Sequence, residues 1–340
     1  MVISALAFVL VSRVVVKSYR STSDGSAIPV LFDKLQALQR VLPQTDIVVI
    51  GSSHVYRNFD PKAFDEAMAG LGCPVRSFNM GVAGMNINEA NFIVDAMAGE
   101  HAPDWLLLEN LPPVRPSSFG NERSRRFMRL DTLPLAVRDI LSAGVSGPRR
   151  LRILGLVLYA HAYEEAGTGM LASRLIGDGR LDAKQRDYFS WGDSDGRQGY
   201  LALEDETAPQ FAARRQRHLD TLAAFDRALA HYASDQPKRE AAARRVTYLR
   251  EVLDAAAETG PRVALVTMPN PEDGGFSKGL ELGASNGELA HPLINLNDPA
   301  RFTWLTDPAA WFDSAHLTRD ASARLSEALA KDFCSVMRAD

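Results

Sequence analysis

The chain has 340 residues, 46% of them apolar, enough for one large α/β domain with an insertion or for two small domains. A net charge of −4, with Arg and Lys dispersed among acids, excludes the basic face of a nucleic-acid binder. Two cysteines, Cys73 and Cys334, are too few for a metal cluster or a disulfide framework and read as two buried free thiols.

The chain begins with an apolar run, Val2 to Val16, broken by Arg13 and followed by Lys17 and Arg20. It is shorter than the roughly 20 residues of a full membrane span, and no small-residue cleavage site follows it. It reads as the tail of a signal anchor that places the rest of the chain outside the cytoplasm. A short amphipathic helix or a buried helix are the alternatives. With a linker helix this segment occupies residues 1–45.

A regular rhythm starts at Asp46. Asp46 to Ile50 is a short β-branched run, the pattern of a buried parallel strand, and Gly51 breaks it. Pro61 opens a helix that ends near Gly70 and Gly72. Pro74 to Met80 is a second strand candidate, and Asn86 to Met97 a helix with Asn86 as cap and Glu89 three residues on. Trp105 to Leu108 is a third strand, stopped by Asn110 and Pro112-Pro113. Strand, helix, strand, helix, strand at this spacing predicts a parallel, flavodoxin-like α/β sheet.

The rhythm stops in the middle of the chain. Residues 115–240 read as a mostly helical insertion between a first part of the α/β domain, 46–114, and a second part, 241–340. Within the insertion, residues 211–232 place Phe211, Leu219, Leu222, Phe225, Leu229 and Tyr232 at helical spacing. A second helix ends near Glu258, Val263 to Thr267 is a fourth strand, Pro292 to Leu296 a fifth, and Asp320 to Met337 a closing helix.

Three segments fall where a parallel sheet presents its chemistry, beyond the carboxyl ends of the strands. Gly51-Ser52-Ser53-His54 follows the first strand, with Ser53 on a turn before a helix whose free N–H groups favour a developing oxyanion. Asn79-Met80-Gly81-Val82-Ala83-Gly84 follows the second; its glycines let backbone N–H groups approach a bound atom. Asp313-Ser314-Ala315-His316 precedes the last helix, a spacing that lets a carboxylate fix an imidazole's tautomer. Each has a duller reading: ordinary turn chemistry, a helix cap, a surface histidine. Their joint order along the chain is what favours chemistry.

Together these segments resemble the SGNH (GDSL-like) hydrolase superfamily over about residues 46–110 and 245–337. The resemblance implies an SGNH-type fold and a triad of Ser53, Asp313 and His316, with an oxyanion hole from Ser53, Gly84 and Asn110. It implies carboxylic ester chemistry without metal or organic cofactor. Two positions depart from the family pattern: Ser52 stands where the first motif has aspartate, and Asn110 lacks its usual flanking glycine and aspartate. Gly-Ser-Ser after an apolar N-terminal segment is similar to the envelope branch, the DltD-like and exopolysaccharide-acylating proteins. That branch implies a periplasmic-face enzyme acting on an acylated glycan or other envelope polymer, with a membrane-bound O-acyltransferase as partner. A non-hydrolytic accessory protein that binds glycan beside such an acyltransferase is the alternative.

Several other residues compete for attention. His54, beside the nucleophile, is placed to touch substrate, and Trp191 and Tyr200 in the insertion can stack on sugar rings, although packing is the commoner role for such aromatics. Gly275-Phe276-Ser277-Lys278-Gly279 fits a nucleophile-elbow pattern, but Pro269, Pro271 and Gly274 ahead of it predict a loop. Asp193 and Asp195 lack the downstream ligands of a calcium loop, and His161 with Glu164 and Glu165 lacks zinc-helix spacing.

Overall fold

The computed structural model describes residues 29–97, 102–111, 198–258 and 260–339, with scattered positions between 137 and 155. The chain forms two compact units, Met1–Asp33 with Pro113–Phe189, and Lys34–Pro112 with Ser190–Asp340. Of the first, the described part of the middle segment includes a helical turn over 150–155. The second holds the sheet. Val2 to Val16 and Trp191 lie outside the described residues. Among the described residues no helix is long and apolar enough to cross a membrane.

The second unit is an α/β fold around five parallel strands: β1 (Ile47–Gly51), β2 (Ser77–Gly81), β3 (Trp105–Glu109), β4 (Arg262–Thr267) and β5 (Leu293–Asn295), in the order β2-β1-β3-β4-β5. That is the flavodoxin-like order, in which the winding direction reverses between β1 and β3. The strands are short and nearly all buried, as β-branched and leucine runs covered on both faces must be. The described helices are α1 (Pro29–Val41), α2 (Ser53–Asn58), α3 (Pro61–Gly70), α4 (Ile87–Met97), α5 (Pro209–Asp220), α6 (Leu222–Ser234), α7 (Arg239–Glu258), α8 (Gly274–Ser285) and α9 (Arg319–Ala339).

One face of the sheet presents Ile47, Val49, Trp105, Leu107, Ala264, Val266 and Ile294 to the main core. Phe64 and Met68 of α3, Leu325, Leu329 and Phe333 of α9, and Phe225, Leu229 and Tyr232 of α6 complete it. The expected run over 211–232 is thus real but is two helices, broken at Thr221, whose hydroxyl bonds back to the Arg217 and His218 carbonyls. Phe225, Leu229 and Tyr232 of its apolar stripe join the sheet's own core, whereas Phe211 packs with Leu203 and Phe312.

Two expectations are corrected. Cys73 and Cys334 form a disulfide, with Cα atoms 6.0 Å apart, tying the turn after α3 to α9. The 261-residue separation hid a contact made by two helices that pack side by side. The stretch around Ser277 is helix α8, not a loop. Pro271 and Asn270, whose side chain accepts from Glu272 N–H, start a short 3₁₀ turn that leads into it. Its glycines serve packing: a Cβ on Gly274 would meet the Tyr232 ring at 2.6 Å, and one on Gly275 the Gln236 carbonyl at 2.4 Å.

Helix α2, which carries the Gly-Ser-Ser-His segment, is bolted down from two sides. Asn79 on β2 donates to the carbonyls of Val55 (2.8 Å) and Phe59 (2.7 Å). Gly81 lets the α2 backbone close in, since a Cβ there would lie 2.3 Å from Tyr56 N. On the other side, Asn58 accepts from Leu317 N–H at 3.0 Å and the Arg57 carbonyl accepts from Ser322 at 3.1 Å. These bonds seat the segment ending in His316 against the helix beginning at Ser53.

Candidate active site

Ser53 is the first residue of α2 at the carboxyl end of β1, half-buried. Ser52 is the N-cap: its hydroxyl accepts from His54 N–H at 3.2 Å and turns inward, away from the position Ser53 occupies on the helix. Gly84 lies exposed in the turn after β2 with φ of 68°, a conformation that favours glycine. Asn110 directly follows β3, where its N–H donates to Val266 O at 2.9 Å. All three sit beyond the carboxyl ends of adjacent strands β2, β1 and β3.

The Asp313–His316 segment is a tight turn. Asp313 Oδ1 accepts from the N–H groups of Ala315 (2.8 Å) and His316 (2.9 Å), and Trp311 and Leu317 bridge its ends. The same carboxylate meets His316 Nδ1 at 2.9 and 3.1 Å. Helix α5 grips this turn: Arg215 donates to the carbonyls of Trp311 (2.6 Å) and Phe312 (2.7 Å), and Arg214 Nε pairs with Asp313 Oδ2 at 2.7 Å. Arg214 Nη2 also lies 3.3 Å from His316 Nδ1. A guanidinium can only donate and an ionised carboxylate only accept, so the nearer Asp313 oxygen accepts from Nδ1–H and the lone pair is left on Nε2. That atom is buried and has no hydrogen-bond partner among the described residues.

Electrostatics follows from these neighbours. Burial pushes Asp313 up, but the His316 bond, the charges of His316 and Arg214 and the backbone donor outweigh it and hold the carboxyl at about 2. Burial pulls His316 below the ordinary histidine value, helped by the charges of His54 and Arg214 and opposed by Asp313. His316 is therefore the neutral imidazole at physiological pH.

A second acid–imidazole pair stands beside the first. Glu109, the buried last residue of β3, accepts from Ser52 N–H, from Ser52 Oγ (3.0 Å) and from His54 Nδ1 (3.2 Å). The His54 and His316 rings stack with centroids 5.6 Å apart. Burial lowers the His54 pKa, but the hydrogen bond and charge of Glu109, with Asp273 and Asp313, raise it overall.

The structure thus brings His54, Asp313 and His316 together, with Ser53 next to His54 at the start of α2. Tyr200 is buried, as the packing role requires. Glu109, Arg214 and Arg215 were not legible as site residues. Glu109 hid within Leu-Leu-Leu-Glu as the end of an apolar run, and the two arginines lie about a hundred residues from the turn they hold. Among the described residues no three His, Cys, Asp or Glu side chains gather to hold a metal ion. No family model matches the sequence, and no curated protein matches it.

Proposed function

We propose that the protein is an SGNH-type serine esterase or O-acyltransferase whose triad is Ser53, His316 and Asp313. The observation that supports this reading is the Asp313-oriented His316, its Nε2 buried and free of any partner among the described residues, its ring stacked on that of His54, the residue after Ser53. Ser53 Oγ attacks an acyl carbonyl while His316 Nε2 takes its proton. Asp313 keeps the proton on Nδ1 and stabilises the imidazolium. The N–H groups of Ser53 and Gly84 and the Asn110 side chain receive the oxyanion.

The proposed substrate is an acyl ester of a cell-envelope glycan, and the proposed partner a membrane-bound O-acyltransferase. The Cys73–Cys334 disulfide supports an oxidising, extracytoplasmic location, where such bonds persist. A reporter that fluoresces only in the cytoplasm, fused after Asp340, should stay dark; a bright fusion contradicts the location. One observation favours a second reading, a non-hydrolytic glycan-binding accessory: His316 Nε2 makes no hydrogen bond to Ser53. Catalytic hydrogen bonds in unliganded sites are often long and tighten only on substrate, so the first reading stands ahead. Hydrolysis of a p-nitrophenyl ester, abolished by Ser53→Ala, tests it; equal background rates in both proteins favour the accessory.

A further inference from the structure

The acyl-transfer scheme leaves Glu109 and His54 unused, yet the fold takes trouble to place them. A carboxylate at the end of a buried strand needs fixed donors in place of water. Glu109, 6% exposed, finds them in Ser52 N–H, Ser52 Oγ–H and His54 Nδ1. Gly51 makes the room, since a Cβ there would lie 2.4 Å from Glu109 Oε2. With the Nδ1 proton committed to Glu109, the His54 ring works through Nε2. Its side chain keeps 18% exposure, and its ring lies over His316 at 28°. Two imidazoles, each held by its own carboxylate, stack on one another, and one of them follows Ser53 directly in the chain.

We propose that His54, positioned by Glu109, is the general acid that protonates the leaving alcohol, while His316 is the base that activates Ser53. The proposal rests on the acyl-transfer reading of Ser53. In acylation, Ser53 Oγ bonds the carbonyl carbon and its proton goes to His316 Nε2. The carbon–oxygen bond to the alcohol breaks, its electron pair stays on that oxygen, and the oxygen takes the proton of His54 Nε2. In deacylation, water or an acceptor hydroxyl attacks and gives its proton to His54. Ser53 Oγ then leaves the carbonyl carbon and recovers the proton from His316.

The surroundings drive the two rings apart in the required directions. His54 faces Glu109, Asp273 and Asp313, whose effects exceed its burial and raise it. His316 faces Asp313, but burial, His54 and Arg214 lower it. A raised acid beside a lowered base is the pattern of divided acid–base labour. A separate acid matters only for a poor leaving group, so the site fits esters of unactivated alcohols, sugar hydroxyls among them.

The test compares a p-nitrophenyl acetate, whose leaving group departs without a proton, with an O-acetyl methyl glycoside, in the full chain. His54→Gln should slow the sugar ester further than the aryl ester, by on the order of 10²-fold, and remove the alkaline limb of the sugar-ester pH profile. Glu109→Gln should shift that limb to lower pH, because the bonds that raise His54 are weakened. Equal slowing of both esters by His54→Gln, or a limb unmoved by Glu109→Gln, overturns the proposal while Ser53 labelling by a phosphonofluoridate keeps the underlying reading. A wild-type protein that neither takes up the probe at Ser53 nor cleaves either ester overturns both.

Discussion

Strands β1 and β4 both lead to a serine on a helix, and the two serines sit differently. Ser53 opens α2 directly after β1, whereas Ser277 lies in the first turn of α8, separated from β4 by Met268 to Asp273. After β4 the polar groups close on one another. Ser277 Oγ accepts from Asn297 at 2.8 Å, and Asn297 Oδ1 accepts from Tyr232 Oη (2.6 Å) and Asn270 N–H (2.9 Å). After β1 the corresponding network is open: Asp313 and Glu109 each anchor one side of an imidazole, and His316 Nε2 ends without a partner among the described residues. A closed buried network specifies packing, whereas an unsatisfied atom needs another explanation, and chemistry is one.

Ser53→Ala or His316→Ala should lower ester turnover by on the order of 10⁴-fold, whereas Ser277→Ala should leave turnover at the wild-type rate. Steady-state hydrolysis of a short aryl ester reads both. Glycine substitutions at the two exits sharpen the contrast. At Gly51 an alanine Cβ would overlap Val55 at 2.3 Å and Glu109 at 2.4 Å, and displacing the Glu109 support should cost roughly 10²-fold in hydrolysis of an O-acetyl glycoside. At Gly275 the clash is with the Gln236 carbonyl, so Gly275→Ala should cost about 1–3 kcal/mol of stability in denaturant unfolding.

Ser277→Ala should also destabilise, by about 1 kcal/mol, since it removes one buried acceptor from Asn297; thermal unfolding measures it. The smallest effect is in pH. The His316 pKa is lowered in part by Arg214. Activity is lost as pH falls through that value, because only the neutral ring accepts a proton. Arg214→Ala should raise the His316 pKa and move the acid limb to higher pH. An unmoved limb would mean that Arg214 only holds the turn.

Much of the frame was legible because short β-branched runs between glycines and prolines leave few alternatives. All five strands and helices α3, α4 and α9 fall within a few residues of expectation. The proposed triad of Ser53, Asp313 and His316 rests on their order along the chain. What was not legible depends on register and distance. Ile50 pairs with Leu108, which sets Glu109 beside Gly51; nothing in Leu-Leu-Leu-Glu says so. Arg214 and Arg215 look like any solvated helix face until α5 is laid across the Asp313 turn. The glycines of α8 read as loop formers because their use, close approach to Tyr232 and Gln236, exists only in the packed molecule.

Ser53, beside the open network after β1, is the proposed nucleophile. Peptide mapping after reaction with a phosphonofluoridate probe tests it most directly. The adduct should fall on Ser53 alone, and His316→Ala should slow its formation strongly, with Asp313→Ala slowing it less. An adduct on Ser277, or a folded protein that takes up no probe at all, would contradict the account.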